Sequence, residues 1–457
     1  MQSLRFYLAL WMAKLSRPAL KITHHNGTDF PGKLAIKICP DFLSRIGKPE
    51  LIIAVTGTNG KTTCTNMICD AFKAKGEDVL CNRYGSNINT GISTCLLAGA
   101  TLTGKTKYKT AVLETDERSA PKLYPELKPQ YLVVTNLFRD SIMRNGHPEY
   151  IQWILSNNIP KETKLILNGD DLISGRIAPG NERYYYGINQ LDTDVKECEN
   201  LLNDMRICPI CGSHLEYDYL RYHHIGKAHC SKCDFKSPDY DYAGHDIDLA
   251  KGTIKIDDSE GTGEYYISND SIFNIYNTCL VVALFRQLGV SHEKLAEMTR
   301  SVKIPDTRYN MQQVGSVKIV TQLAKDKNAL AVTRATDYVR KLPGRKKMFL
   351  LISCYNDDKI WSENTCWLYD CDFEMMNDPL MDQIVATGPR ALDFKLRLLW
   401  AGIPEEKILC IEDEREAARK FDLKKDDSVY IFCGIDAFDL VDDCREIIKK
   451  RVTDEGL

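Results

Sequence analysis

Residues 51–63, LIIAVTGTNGKTT, join an apolar run to a glycine-bearing turn and then to Lys61, Thr62 and Thr63. Positions 51–55 read as a buried parallel strand, because an unbroken β-branched run offers no face to water. Gly57 and Gly60 let the backbone turn its amides inward, and a helix starting near Lys61 presents the positive end of its dipole. Such a cradle suits phosphate, with Lys61 reaching the outer phosphates and Thr62 ligating Mg²⁺. In the general pattern G-x-x-x-x-G-K-[ST], a second glycine at Gly60 puts the first on Val55, so the turn is a variant.

Apolar runs at 110–113, 131–135 and 164–167 alternate with helical stretches, which predicts a parallel sheet with helices on both faces. Ligands of such sheets lie beyond the carboxyl ends of the strands, where 57–63, Glu114 and Asn136 all fall. A second α/β unit begins near Pro305, with strands expected at 348–354, 383–387, 407–411 and 428–432 and a helix at 391–400. The expected division is an N-terminal helical segment (1–50), a nucleotide-binding domain (51–304) and a C-terminal α/β domain (305–457).

The chain has 457 residues, 44% of them hydrophobic, and a net charge of −3. Its Lys and Arg are interspersed with Asp and Glu, which argues against nucleic acid as the main partner. Seventeen scattered cysteines in a large chain without a cleavable leader point to reduced thiols in a cytoplasm. The N-terminal LRFYLALWMAKL (4–15) is too short to span a bilayer. It reads as a helix docked on its own domain, with a membrane-surface role as the alternative.

Residues 206–240 break the α/β pattern with Cys208-x-x-Cys211, eighteen residues, and Cys230-x-x-Cys233. That spacing predicts a zinc ribbon with four thiolate ligands. His214, His223, His224 and His229 are substitutes only, since four sulfurs close the shell. A closed shell leaves no open position, so the zinc is expected to be architectural.

TGTNGKTT (56–63) resembles the ATP-binding loop of the Mur ligase superfamily, which joins amine nucleophiles to carboxylates. Further segments are similar to superfamily motifs in order: NRYGSN (82–87) with Gly91, VLETDE (112–117), TNLFRD (135–140), NGDD (168–171) and NIYN (274–277). The ribbon, FPGKLA (30–35) and TGPRALD (387–393) narrow the resemblance to the MurT family, the ATP-using subunits of lipid II isoglutaminyl synthase. About fifty residues precede the loop, too few for the UDP-gripping domain of several ordinary Mur ligases, so a substrate without UDP is expected.

The resemblance implies a Mur-ligase-like central P-loop domain with the zinc ribbon inserted, followed by a smaller Rossmann-like α/β domain. It implies ATP-dependent amidation, through an acyl phosphate, of the α-carboxylate of D-isoglutamate in the lipid II stem peptide at the inner membrane face. Ammonia would come from a GatD-like glutamine amidotransferase subunit. ATP would be held by Gly57, Thr58, Asn59, Gly60, Lys61, Thr62, Thr63, Asn277 and Arg308, and Mg²⁺ by Thr62 and Glu114. Lys61 and Glu114 would serve catalysis, and Asp370, with Asp357 and Asp358 as fallbacks, would complete a Cys-His-Asp triad in the partner. Zn²⁺ would sit on Cys208, Cys211, Cys230 and Cys233.

Two positions depart from the family pattern. Ser141 stands where many amino-acid-adding ligases have histidine, which fits ammonia as nucleophile, and Asn364 stands where many relatives have aspartate. Glu117 and Asp140 read equally as residues that hold a second metal or the attacking groups and as helix caps. Two alternatives stay open: a stand-alone ligase of the folylpolyglutamate type that adds an amino acid, and a catalytically silent scaffold.

Overall fold

The computed structural model describes residues 3–22, 27–83, 86–140, 145–267, 271–301, 309–324, 327–352, 364–434 and 437–457, without the side chains of Lys21, Tyr309 and Asn310. Arg308, Ser141, Asp357 and Asp358 lie outside the described residues. The chain divides into two compact units. One comprises Met1–Phe138, Pro148–Glu199 and Asn203–Ile304, the other Arg139–His147, Asn200–Leu202 and Pro305–Leu457.

The first unit is built on β1 (Leu51–Thr56), β2 (Leu80–Cys81), β3 (Thr110–Glu114), β4 (Tyr131–Val134), β5 (Lys164–Asn168), β6 (Arg183–Ile188), β9 (Tyr242–Asp248), β10 (Thr253–Asp258) and β11 (Gly261–Tyr266). They form one nine-stranded sheet in the order β11-β10-β9-β6-β5-β4-β1-β3-β2. The β1 strand lies between β3 and β4, parallel to both, with Val55 in register with Glu114. Its apolar run is buried, as an interior strand covered on both faces requires.

The sheet is mixed rather than wholly parallel, because β10 pairs antiparallel with both β9 and β11. Residues 249–252 and 259–260 are too short for the crossover a parallel pair needs, and Gly252 (φ 66°) and Gly261 (φ 133°) make the tight turns. Between β6 and β9 the chain forms a separate hairpin, β7 (Leu215–Tyr222) with β8 (Ile225–Cys230).

Three helices precede β1: α1 (Leu4–Ile22), α2 (Phe30–Ile38) and α3 (Phe42–Arg45). Phe6, Ala9, Leu10 and Ala13 recur at helical spacing and are fully buried in the same core as Ile52, Ala54 and Leu113. Phe6 stacks on Phe42 at 5.4 Å between ring centroids. The N-terminal helix is therefore docked on its own unit, and among the described residues no helix is long and apolar enough to cross a membrane.

In the second unit β12 (Tyr309–Val314), β13 (Val317–Leu323), β14 (Lys346–Leu351), β15 (Met381–Ala386), β16 (Ile408–Cys410) and β17 (Ser428–Cys433) form a sheet ordered β12-β13-β17-β14-β15-β16. From β13 to β16 every pairing is parallel, and β12 adds an antiparallel edge through a two-residue turn. The four expected strands and the helix Ala391–Trp400 are present, with strand ends shifted by up to three residues. The β12–β13 hairpin is an addition that the sequence reading did not contain.

Truncating a side chain of the docked face of α1 leaves a cavity. Phe6→Ala should destabilise the chain by about 3–5 kcal/mol, measured by urea unfolding, whereas Leu8→Gln on the exposed face should stay within about 0.5 kcal/mol.

Candidate functional site

The turn after β1 has the conformation its glycines predict. Gly57 (φ 125°) and Gly60 (φ 88°) are left-handed, and α4 (Lys61–Ala74) starts directly after them. Space excludes side chains there as well. A Cβ on Gly57 would come within 2.2 Å of Thr135 Oγ1, and one on Gly60 within 2.9 Å of Asn277 Oδ1.

The turn is clamped to the segment after β4. The Asn59 amide donates to Asn136 Oδ1 (3.1 Å) while Asn136 Nδ2 donates to the Asn59 carbonyl (3.1 Å). The Thr58 amide donates to the Asn136 carbonyl (2.8 Å), and the Thr58 hydroxyl accepts from the Phe138 amide (2.9 Å) and donates to its carbonyl (3.2 Å). These reciprocal bonds satisfy the polar groups of a buried turn and fix its shape. Asn277 is also buried, accepting from the Cys64 thiol (3.1 Å) and bracing Gly60.

Lys61 has an acidic partner. Its ammonium donates to the Gly57 carbonyl (2.5 Å) and to Glu117 Oε1 (2.8 Å), and the same carboxylate oxygen accepts from the Gly57 amide (3.0 Å). Glu117 is 2% exposed. It follows β3 in a short 3₁₀ turn capped by Asp116, whose carboxylate accepts from the Arg118 amide. Beside the roles that the sequence leaves open for Glu117, the geometry shows another: it anchors the loop lysine.

Thr62 is exposed at the helix start and Thr63 is buried. Glu114 ends β3, accepts from Asn87 Nδ2 (3.1 Å), and is held through its backbone by Asn82, which accepts its amide and donates to its carbonyl (both 2.9 Å). The loop, Glu114 and Asn136 thus gather at the carboxyl ends of β1, β3 and β4.

The hairpin β7–β8 carries Cys208, Cys211, Cys230 and Cys233 at its open end, with all four sulfurs within 4.8 Å of one another. The Ile210 and Lys232 amides donate to Cys208 Sγ and Cys230 Sγ, both at 3.4 Å. Hydrogen bonds from the Ser213 hydroxyl and amide, then from Cys230, pull the Cys211 thiol down to about 6, toward the thiolate that binds metal. No histidine joins the cluster among the described residues.

The closed end of the hairpin packs beside the phosphate loop. Arg221, nearly buried, pairs with Asp194 (2.7 Å) and Asp170 (3.3 Å), and Asp170 also accepts from the Tyr276 hydroxyl (2.5 Å). His224 faces Asp171 (3.3 Å) and lies 4.5 Å from the ring of Phe138, the residue bonded to Thr58. By sequence alone His224 is only a substitute metal ligand; its place in the two-residue tip between β7 and β8 is the signal for a structural role.

In the second unit, Asp370 ends a 3₁₀ turn, Cys366–Asp370, with Arg139 Nη1 at 3.7 Å. Asp140 accepts from Asn328 Nδ2 (3.3 Å). Next to Asp370, the Tyr369 ring contacts Trp400 (5.5 Å), and the helix Ala391–Trp400 exposes Leu392, Leu396, Leu399 and Trp400.

Two family profiles match the chain: MurT ligase C-terminal over residues 326–438 and Mur ligase middle domain over residues 55–217. The lipid II isoglutaminyl synthase (glutamine-hydrolyzing) subunit MurT of Staphylococcus aureus (strain COL) is 30% identical over 428 residues, covering 92% of this chain and 94% of the relative. The chain belongs to the MurT family. The Streptococcus pneumoniae (strain ATCC BAA-255 / R6) MurT subunit is 29% identical over 84% of both chains. As a MurT-family member with a Mur ligase middle domain, the chain is an ATP-dependent ligase. The fold is that of Mur ligases: a pseudomurein peptide ligase type C from Methanothermus fervidus has a TM-score of 0.65 at 19% identity, covering 90% of this chain and 81% of that one. The MurF ligase of Thermotoga maritima, solved with ADP, has a TM-score of 0.56 at 15% identity, covering 94% and 85%.

Asp171 links the loop to stability. Full burial opposes its ionisation, but His224 and the Leu137 and Ser174 amides overcome that and hold its carboxyl below the usual 3.8. The stability it adds is complete above that value and lost as pH falls through the lowered folded one. Asp171→Asn should cost about 1–3 kcal/mol at neutral pH and flatten the acid limb of stability, measured by urea unfolding across pH.

Proposed function

We propose that this MurT-family chain is the ATP-using subunit of a lipid II isoglutaminyl synthase. It transfers the γ-phosphoryl group of ATP to the α-carboxylate of D-isoglutamate in the lipid II stem peptide. Ammonia then displaces phosphate to leave D-isoglutamine. The observation that carries this is the clamped turn 57–63 with Lys61 and Thr62 at the tip of β1 and Glu114 one strand away, in register with Val55.

Phosphoryl transfer asks little covalent chemistry of a protein and much charge neutralisation and alignment. Lys61 supplies a positive charge at the loop, and Gly60 to Thr63 offer backbone amides at a helix N-terminus, those of Gly57, Thr58 and Asn59 being bonded to Glu117 and Asn136. The Thr62 hydroxyl and the Glu114 carboxylate are hard oxygen donors suited to Mg²⁺, with Asn87 orienting the carboxylate. Bound there, the ion would draw charge from the phosphate oxygens. A carboxylate oxygen attacks the γ-phosphorus and ADP leaves; ammonia attacks the acyl carbon, phosphate leaves and the nitrogen gives up a proton. No protein nucleophile is needed.

Ammonia comes from a GatD-like glutaminase subunit, to whose histidine Asp370 contributes the orienting carboxylate. The exposed Tyr369, Leu396 and Trp400 beside it suit a partner interface. Four thiolates suit Zn²⁺: a tetrahedral ion with Zn–S near 2.3 Å separates its sulfurs by about 3.8 Å, and the Cys208–Cys233 and Cys211–Cys230 pairs stand at 3.6 and 3.4 Å. The ion would close the hairpin and take no part in the reaction. Because lipid II is membrane-anchored, the enzyme acts in the cytoplasm at the inner membrane face.

With the glutaminase subunit, glutamine, Mg²⁺ and lipid II, Lys61→Ala should lower amidation at least about a hundredfold and, by stranding the buried Glu117 carboxylate, lower the thermal midpoint, whereas Lys61→Ala/Glu117→Gln should regain the midpoint and not the activity. Mass spectrometry of the muropeptide reads the amide; a full rate overturns the site, and turnover only with added glutamate points to an amino-acid-adding ligase. Cys211→Ser should release zinc, read by atomic absorption, and raise KM for ATP several-fold, because the hairpin tip braces Phe138.

A further inference from the structure

The solvent side of α1 is apolar from end to end. Leu4, Leu8, Trp11, Met12, Leu15 and Ile22 share one stripe, opposite the buried Phe6, Ala9, Leu10 and Ala13. Trp11 is 47%, Leu15 71% and Leu4 84% exposed. The stripe runs about 27 Å at 1.5 Å per residue. A surface helix of a water-soluble fold carries polar residues on its outer face, and this one carries nearly none.

The loop joining α5 (Asn89–Gly99) to β3 extends the stripe. Trp11 Nε1 donates to the Leu102 carbonyl (2.9 Å), and Leu102 is exposed. Lys14 Nζ donates to the Leu97 (2.8 Å) and Ala100 (2.7 Å) carbonyls, which fixes the loop against the helix.

Charge identifies the occupant. Residues 1–22 contain Arg5, Lys14, Arg17 and Lys21 and no acid; residues 100–109 contain Lys105, Lys107 and Lys109 and no acid. The whole chain has a net charge of −3, so this corner is basic against the trend. Burial, then Lys107 and Arg17, push the Lys14 ammonium below its usual value, as expected where cations gather without counterions. A second copy of the same face would set these cations against themselves. An anionic bilayer meets both features, taking the apolar stripe into its headgroup boundary and the lysines against its phosphates.

We propose that α1 and the 100–109 loop form an in-plane membrane-docking surface that seats the enzyme on anionic phospholipid. The helix lies along the interface, since it is docked on its own core through Phe6 and Leu10 and cannot cross. The surface is separate from the nucleotide loop, and its test needs no amidation substrate.

The full chain, alone and with its glutaminase subunit, is sedimented with vesicles of phosphatidylcholine or of equal parts phosphatidylcholine and phosphatidylglycerol. Binding to the anionic vesicles should be at least about tenfold tighter in low salt and weaken as salt rises. The Leu8→Gln/Leu15→Gln double variant should lose at least about tenfold in binding, with thermal midpoint and ATP hydrolysis unchanged. Lys105→Gln/Lys107→Gln should lose the preference for anionic lipid and keep the fold. Failure of the native chain to pellet with either vesicle overturns the proposal, as does equal pelleting by the Leu8/Leu15 variant. A dimer seen by light scattering that this variant abolishes, with no vesicle binding, assigns the stripe to self-association instead.

Discussion

The site depends on how Gly57 is held. Its amide donates to Glu117, its carbonyl accepts from Lys61, and Lys61 and Glu117 close the ring as an ion pair. A lone buried carboxylate would be costly, and a lone lysine on a flexible stem would sample many positions. Joined, they satisfy each other and fix the ammonium at the mouth of the loop. The reciprocal bonds of Asn59 with Asn136, and of Thr58 with Phe138, extend the same constraint to the next strand.

The cysteine hairpin belongs to this arrangement. Its open end gathers four sulfurs, and its tip delivers Arg221 to Asp170 and His224 to Asp171. Asp171 accepts the Leu137 amide (2.7 Å), one residue from Phe138. A small hairpin has too little apolar surface to hold itself, so closing its open end steadies the tip that supports the loop. The Asp170–Arg221–Asp194 cluster is buried and paired on every side, which makes it demanding of geometry and sensitive to loss of any one member.

Much of this was legible because local chemistry dictated it. The β1 strand, the two glycines, the helix at Lys61 and the pairs of cysteines each follow from short-range patterns, and so do the last four strands of the second unit, though not its β12–β13 hairpin. Strand-helix alternation predicts parallel pairing, whereas the mixed sheet is written only in the short turns 249–252 and 259–260, which forbid a crossover. Glu117 was found as a residue but not as the partner of Lys61, since 56 positions separate them and only the fold brings them together. The Asp170–Arg221 pair, 51 positions apart, was hidden for the same reason. The apolar outer face of α1 was written in the sequence. Its meaning needed the structure, which identifies the half of the helix that is already buried.

In the proposed reaction the loop hands the terminal phosphoryl group to a peptide carboxylate. The direct test labels both α-carboxylate oxygens of the D-isoglutamate in lipid II with heavy oxygen. The acceptor is then turned over with ATP, Mg²⁺, glutamine and the glutaminase subunit. If a carboxyl phosphate forms, each amide produced releases one inorganic phosphate carrying one heavy oxygen, read by mass spectrometry. Unlabelled phosphate released in step with amide would contradict the account.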